Sequence, residues 1–79
     1  MEDSVHLGDM LQERDVPRDW VDRTEREPDS VQEHEDGTRH FLKRIPENGN
    51  RWLRVVVNVS VRPNRRVTAF FDRRLRRES

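Results

Sequence analysis

The chain contains no cysteine. A disulfide framework, a thiolate zinc site and a cysteine nucleophile are thereby excluded. No apolar run approaches the roughly 18 residues of a membrane span. The opening stretch MEDSVHLGDMLQERD has neither a basic leader region nor an apolar one, so it does not read as a signal peptide. These absences point to a soluble cytoplasmic protein. The sequence also lacks a glycine-rich phosphate loop, a Ser-His-Asp arrangement and internal repeats. His34 lies in the acidic turn QEHEDG near Glu33 and Asp36, but that spacing matches no strong metal signature. No metal and no cofactor is expected. Net charge is absent too: Lys plus Arg number 16 and Asp plus Glu number 16.

The zero conceals an asymmetry. Residues 1–36 carry 13 acidic side chains and 4 arginines, a balance of −9, and residues 37–79 carry 12 basic and 3 acidic ones, a balance of +9. The two halves either neutralise each other within the fold or give it a face suited to a polyanion. Fifteen of the 16 basic residues are arginine, whose planar fork matches phosphate oxygens. Hydrophobic residues make up 30% and charged residues 41% of 79 positions, which describes one small domain of modest core.

Hydrophobic spacing predicts a helix over 4–14, started by Asp3 or Ser4 and carrying Val5, Leu7, Met10 and Leu11. A second helix is predicted over 17–27, with Pro17 in its first turn, Trp20, Val21 and Thr24 on one face, and Pro28 as its stop. Beyond it, Asp36-Gly37, Asn48-Gly49 and Pro63-Asn64 punctuate four strands, about 29–34, 38–45, 51–61 and 65–71. Their order favours an antiparallel meander. Alternation gives the third strand one face of Leu53, Val55, Val57, Val59 and Val61 and another of Trp52, Arg54, Val56, Asn58 and Ser60. The fourth divides into Val67, Ala69 and Phe71 against Arg66, Thr68 and Phe70. The expected fold is α+β: two short N-terminal helices packed on one face of a four-stranded antiparallel sheet. The valine row would be core, and the opposite face a cationic working surface.

The blocks VHLGDMLQERDVPRDWVDRTEREPDSV, RHFLKRIPENGNRWLRVVV and RVTAFFDRRLRR resemble, in this order, a domain-of-unknown-function family related to the BrnT toxins, within the RelE/ParE-like toxin group. The likeness spans about residues 5–77. It implies the same helices-on-sheet fold. It also implies the toxin of a type II toxin–antitoxin pair, with a cognate antitoxin as partner. Members of the wider group cleave RNA, often ribosome-bound mRNA, while the ParE-like branch inhibits gyrase.

Metal-independent RNA cleavage needs a base for the 2′-hydroxyl, a cation for the phosphorane and an acid for the leaving oxygen. His40 is the leading base or acid; otherwise it is an exposed strand histidine paired with a carboxylate. Lys43, the only lysine, is a phosphate contact or proton donor, or else a solvated strand residue. The two have opposite strand parity and so point to opposite faces. Arg54, the third catalytic candidate, lies in mid-strand among apolar neighbours and requires a partner or a phosphate; its structural alternative is an ion pair with a helix carboxylate such as Glu13. Arg44, Arg73, Arg74 and Trp52 are candidate nucleic-acid contacts, with Phe70 beside Trp52 as a possible stacking platform. Arg76 and Arg77 read as a solvated or antitoxin-binding tail. His6 and Arg14 are secondary candidates, roughly 80° apart around the first helix and about 12 Å along it. They flank one groove or serve the fold. The alternative to an endoribonuclease is a non-catalytic module whose basic face docks an acidic antitoxin, gyrase or nucleic acid. A homodimer or a toxin–antitoxin hetero-oligomer fits the exposed sheet edge.

Overall fold

The computed structural model describes residues 1–75. In chain order it contains β1 (Glu2–Asp3), α1 (Leu7–Glu13), α2 (Arg18–Arg26), β2 (Ser30–Glu33), β3 (Thr38–Ile45), a 3-10 turn (Pro46–Asn48), β4 (Arg51–Asn58) and β5 (Arg65–Phe71). The strands form one sheet in the order β1-β5-β4-β3-β2. β2 to β5 are the predicted antiparallel meander. The sheet nevertheless has five strands and is mixed, because Glu2 and Asp3 pair in parallel with Arg65 and Arg66. The four-stranded antiparallel expectation is corrected on that point. The α+β class and the two helices stand.

The same pairing explains why α1 starts late. Ser4 was expected to cap it. Instead the Ser4 amide donates to the Arg66 carbonyl at 2.8 Å and its hydroxyl to the Val67 carbonyl at 3.3 Å. The N-cap is His6, with no side-chain capping bond. Val5 is left 93% exposed rather than joining the apolar stripe. α2 begins one residue after Pro17, which is its extended N-cap rather than part of its first turn, and Val21 and Thr24 are buried on its inner face. The Thr24 hydroxyl returns its proton to the Trp20 carbonyl, so this buried polar group is satisfied inside the helix.

The core lies between the helices and one sheet face. Leu7, Leu11, Val16 and Val21 meet Ile45, Leu53, Val55, Val57 and Ala69, with Trp20, Phe41 and Phe71 at the margin. The valine row is therefore core, as its alternation predicts, but it is shorter than expected. β4 ends at Asn58, because the Asn58 carboxamide oxygen accepts from the Ser60 amide at 2.9 Å and the Ser60 hydroxyl at 2.7 Å. Such a side-chain turn diverts the backbone from the ladder. Val59 packs against the core from outside the strand, and Val61 lies beyond it.

β5 carries a second departure. Val56 pairs with Thr68 but Val57 pairs with Arg66, so Val67 is an extra residue bulged out of the ladder. The bulge reverses the expected facing at this end. Arg66 shares the face of Val57, under the helices, and Val67 is 36% exposed instead of core.

Candidate nucleic-acid interface

Part of the charge asymmetry is neutralised inside the molecule. Arg66 donates to Glu25 at 2.6 and 2.7 Å, to Asp22 at 2.7 Å and to Asp3 at 3.3 Å, joining β5 to α2 and β1. Its guanidinium is held charged chiefly by the hydrogen bonds it donates to Glu25. Arg65 pairs with Glu2, Arg39 with Glu33, and Arg18 with Asp3. Arg23 bridges Asp19 and Glu47, and its hydrogen bond lowers the Glu47 carboxyl below the ordinary range. Lys43, predicted to touch substrate, lies on the helix side of β3. It donates to the Glu27 carbonyl at 2.7 Å, with Asp29 at 3.9 Å, and so ties β3 to the end of α2.

The far face of the sheet is built around Arg54. Leu42 and Val56 are buried beside it, so this face is not the open cationic surface anticipated. Arg54 forms a buried ion pair, but with Asp72 rather than Glu13. Its Nε donates to Asp72 Oδ2 at 2.7 Å, and its Nη1 to Gln32 Oε1 at 3.1 Å and to His40 Nδ1 at 2.8 Å. Asp72 also accepts from the Arg74 amide and side chain at 2.9 to 3.1 Å. The bonds from Arg74, then those from Arg54, hold the Asp72 carboxyl far below its usual range despite burial. Arg74 thus closes the network while its side chain stays 79% exposed.

The contacts of His40 fix its tautomer. A guanidinium only donates, so Nδ1 must carry the lone pair. Nε2 stands 3.2 Å from Thr38 Oγ1, whose own proton goes to Asp36 Oδ1 at 2.6 Å, so Nε2–H is the donor there. The ring is neutral with both nitrogens engaged. Burial, then the neighbouring charges of His34, Arg54 and Arg74, push its pKa below the ordinary histidine value, with Asp36 opposing. His34 stacks on it at 3.7 Å and 18°. His40 and Arg54, both predicted as catalytic, are brought into contact; Lys43 is not part of this cluster. His6 is exposed at the start of α1, remote in sequence and contact from these groups.

A different set of cations has no carboxylate partner among the described residues. Arg14, Arg51 and Arg73 line one cleft of about 520 Å³ together with Asp15, Trp20, Asn48, Phe70 and Phe71. α1 delivers Arg14 at its C-cap. There Nη1 donates to Thr68 Oγ1 at 2.9 Å and to the Ala69 carbonyl at 3.0 Å, covering β5 beyond the reach of β1. Arg14 lies 6.0 Å over the Phe70 ring and Arg51 lies 5.3 Å over the Phe71 ring. Trp20 meets Phe71 edge-on at 6.0 Å. Arg44, also without a carboxylate partner, occupies the next rung on the far face, 5.2 Å over Trp52. Arg73, a predicted contact, and Arg14, a secondary candidate, therefore converge, and Arg44 with Trp52 stands nearby. Arg51, Asn48 and Asp15 were not singled out; their one sequence signal is position, flanking the turns that end up together. Arg76 and Arg77 lie outside the described residues.

Among the described residues no group of three or more His, Asp or Glu side chains is arranged for a metal ion. No helix there is long and apolar enough to cross a membrane. No family model, curated protein or solved structure matches the chain.

Proposed function

We propose that this chain is an RNA-binding protein of the RelE/BrnT-like toxin type, partnered by an antitoxin, and that it engages single-stranded RNA through the arginine cleft. One observation carries the reading. Where nearly every other sheet arginine is neutralised, Arg14, Arg51 and Arg73 keep unpaired charge in a single cleft layered with Phe70 and Phe71. Cations that track phosphates beside aromatic rings that stack bases are the requirements of single-strand binding. Fluorescence anisotropy with a labelled oligoribonucleotide tests it. Affinity should fall with salt at a log–log slope of about −2, from roughly 0.7 per neutralised phosphate at three sites. Arg51→Ala or Arg73→Ala should weaken binding about ten-fold or more, the loss of one charge-assisted contact of about 1.5–3 kcal/mol. Binding that ignores both salt and these substitutions refutes the proposal.

A second reading, RNA cleavage at His40, is favoured by its neutral ring beside the Arg54 cation. To act as base, the ring must first exchange its bond to Arg54 or Thr38 for one to substrate. Loss of transcript cleavage in His40→Asn, with RNA binding retained, would select this reading over simple occupancy.

A further inference from the structure

The cleft contains one group that a phosphate site does not need. Asp15 lines it, and its carboxylate makes no ion pair or hydrogen bond with the three arginines around it. A free carboxylate beside a polyanion repels it. Asp15 has φ 55°, a left-handed conformation at the end of α1 that glycine, asparagine and aspartate adopt, so the backbone favours a short polar residue there without requiring a charged one. The position is well fixed: the Asp15 amide donates to the Gln12 carbonyl at 3.2 Å, and the next amide, of buried Val16, donates to the Leu11 carbonyl at 2.9 Å. An acceptor is thus held at the wall of a cationic, aromatic cleft whose volume of about 520 Å³ suits a nucleotide-sized ligand.

Resting on the RNA reading above, we propose that this cleft selects guanine. A carboxylate has two acceptor oxygens, and guanine is the RNA base whose Watson–Crick edge offers two adjacent donors, N1–H and the N2 amine. Adenine and cytosine offer one amine beside an acceptor, and uracil offers one N–H between two carbonyls. The base stacks on the Arg14–Phe70 or Arg51–Phe71 layer, since guanidinium planes and rings both accept bases. Arg73 and the free edges of Arg51 take the flanking phosphates, and the carboxylate of Asp15 accepts the bidentate pair.

The test uses the full chain and labelled hexaribonucleotides that differ at one central base: guanine, inosine, adenine or uracil. Inosine lacks only the N2 amine. The guanine oligomer should bind about ten-fold tighter than the inosine one, the discrimination typical of one bidentate base contact. Asp15→Asn, which tolerates the left-handed backbone, should collapse that ratio and raise affinity for the uracil oligomer by relieving repulsion. Circular dichroism verifies that it folds. Equal binding of guanine and inosine by the natural chain overturns the proposal while leaving RNA binding intact. So does a uniform gain in Asp15→Asn with the ratio preserved, which would make Asp15 a charge-balancing residue. No binding of any oligomer would overturn the RNA reading and this one together.

Discussion

Replacing Asp72 by asparagine perturbs the most enclosed charge pair of the fold. Arg54 and Asp72 side chains are 7% and 2% exposed, with 2.7 Å between Nε and Oδ2. Both carboxylate oxygens are occupied: Oδ2 receives Arg54 Nε and Arg74 Nη2, and Oδ1 receives the Arg74 amide and Nε. An amide cannot serve both sides, because its NH2 would face donors whichever way it is flipped. The substitution also leaves the Arg54 cation buried with only the neutral Gln32 and His40. Breaking a buried pair from one side costs about 3–5 kcal/mol. A domain of 79 residues has roughly 4–12 kcal/mol in all, at about 0.05–0.15 per residue. Asp72→Asn should therefore lower the urea midpoint by about 2–3 M at an m-value near 1.5 kcal/mol/M. Removing both charges with Arg54→Met and Asp72→Leu should cost less than Asp72→Asn alone, since no unpaired ion remains. A loss below about 1 kcal/mol in the single variant, or a double variant as unstable as the sum of the singles, would refute the assignment of this pair as the mainstay of the far face.

Three further outcomes follow from the other networks. His40 has a folded pKa below its unfolded value of 6.5, so the unfolded chain takes up the proton first and stability falls as pH drops below about 6.5. The drop in Tm between about pH 7.5 and about pH 5.5 should shrink in His40→Asn; an unchanged drop would assign the acid sensitivity to another group. Arg66→Met strands Glu25, Asp22 and Asp3, and should cost about 1–3 kcal/mol by urea titration, with a weaker dependence on salt than the natural chain. Lys43→Met, which loses the bond to the Glu27 carbonyl, should reduce stability while leaving RNA affinity within about two-fold; a larger effect on RNA would return Lys43 to the interface.

Local signals in the sequence carried the meander and both helices. The turns at Asp36-Gly37 and Asn48-Gly49 form where those dipeptides predict, with Gly37 at φ 87° and Gly49 at φ 66°. What could not be read is set by long-range pairing. β1 is two acidic residues with no strand pattern, and it exists because β5 presents an edge to it. The end of β4 was missed because Asn58 reads as an ordinary strand residue until its side chain is seen to capture Ser60. The same limit applies to the site. Arg54 was recognisable as a charge in need of a partner, yet Asp72, after the last strand, carries no mark of being that partner. Arg14 and Arg73 were individually visible as cations, but only the folding of α1 against β5 brings both to the cleft that Arg51 also lines.

The extra residue of β5 bears on how freely this chain can change length. Thr68 opposite Val56 and Arg66 opposite Val57 flank the bulge, and Val67 between them is matched to no residue of β4 in the register. Excising Val67 would join them without moving either side chain to the other face, whereas excising a residue on either side would transpose one half of the strand. The strand thus holds a single spare link, and a shorter sibling of this protein could close the same sheet with every charge still meeting its counterpart.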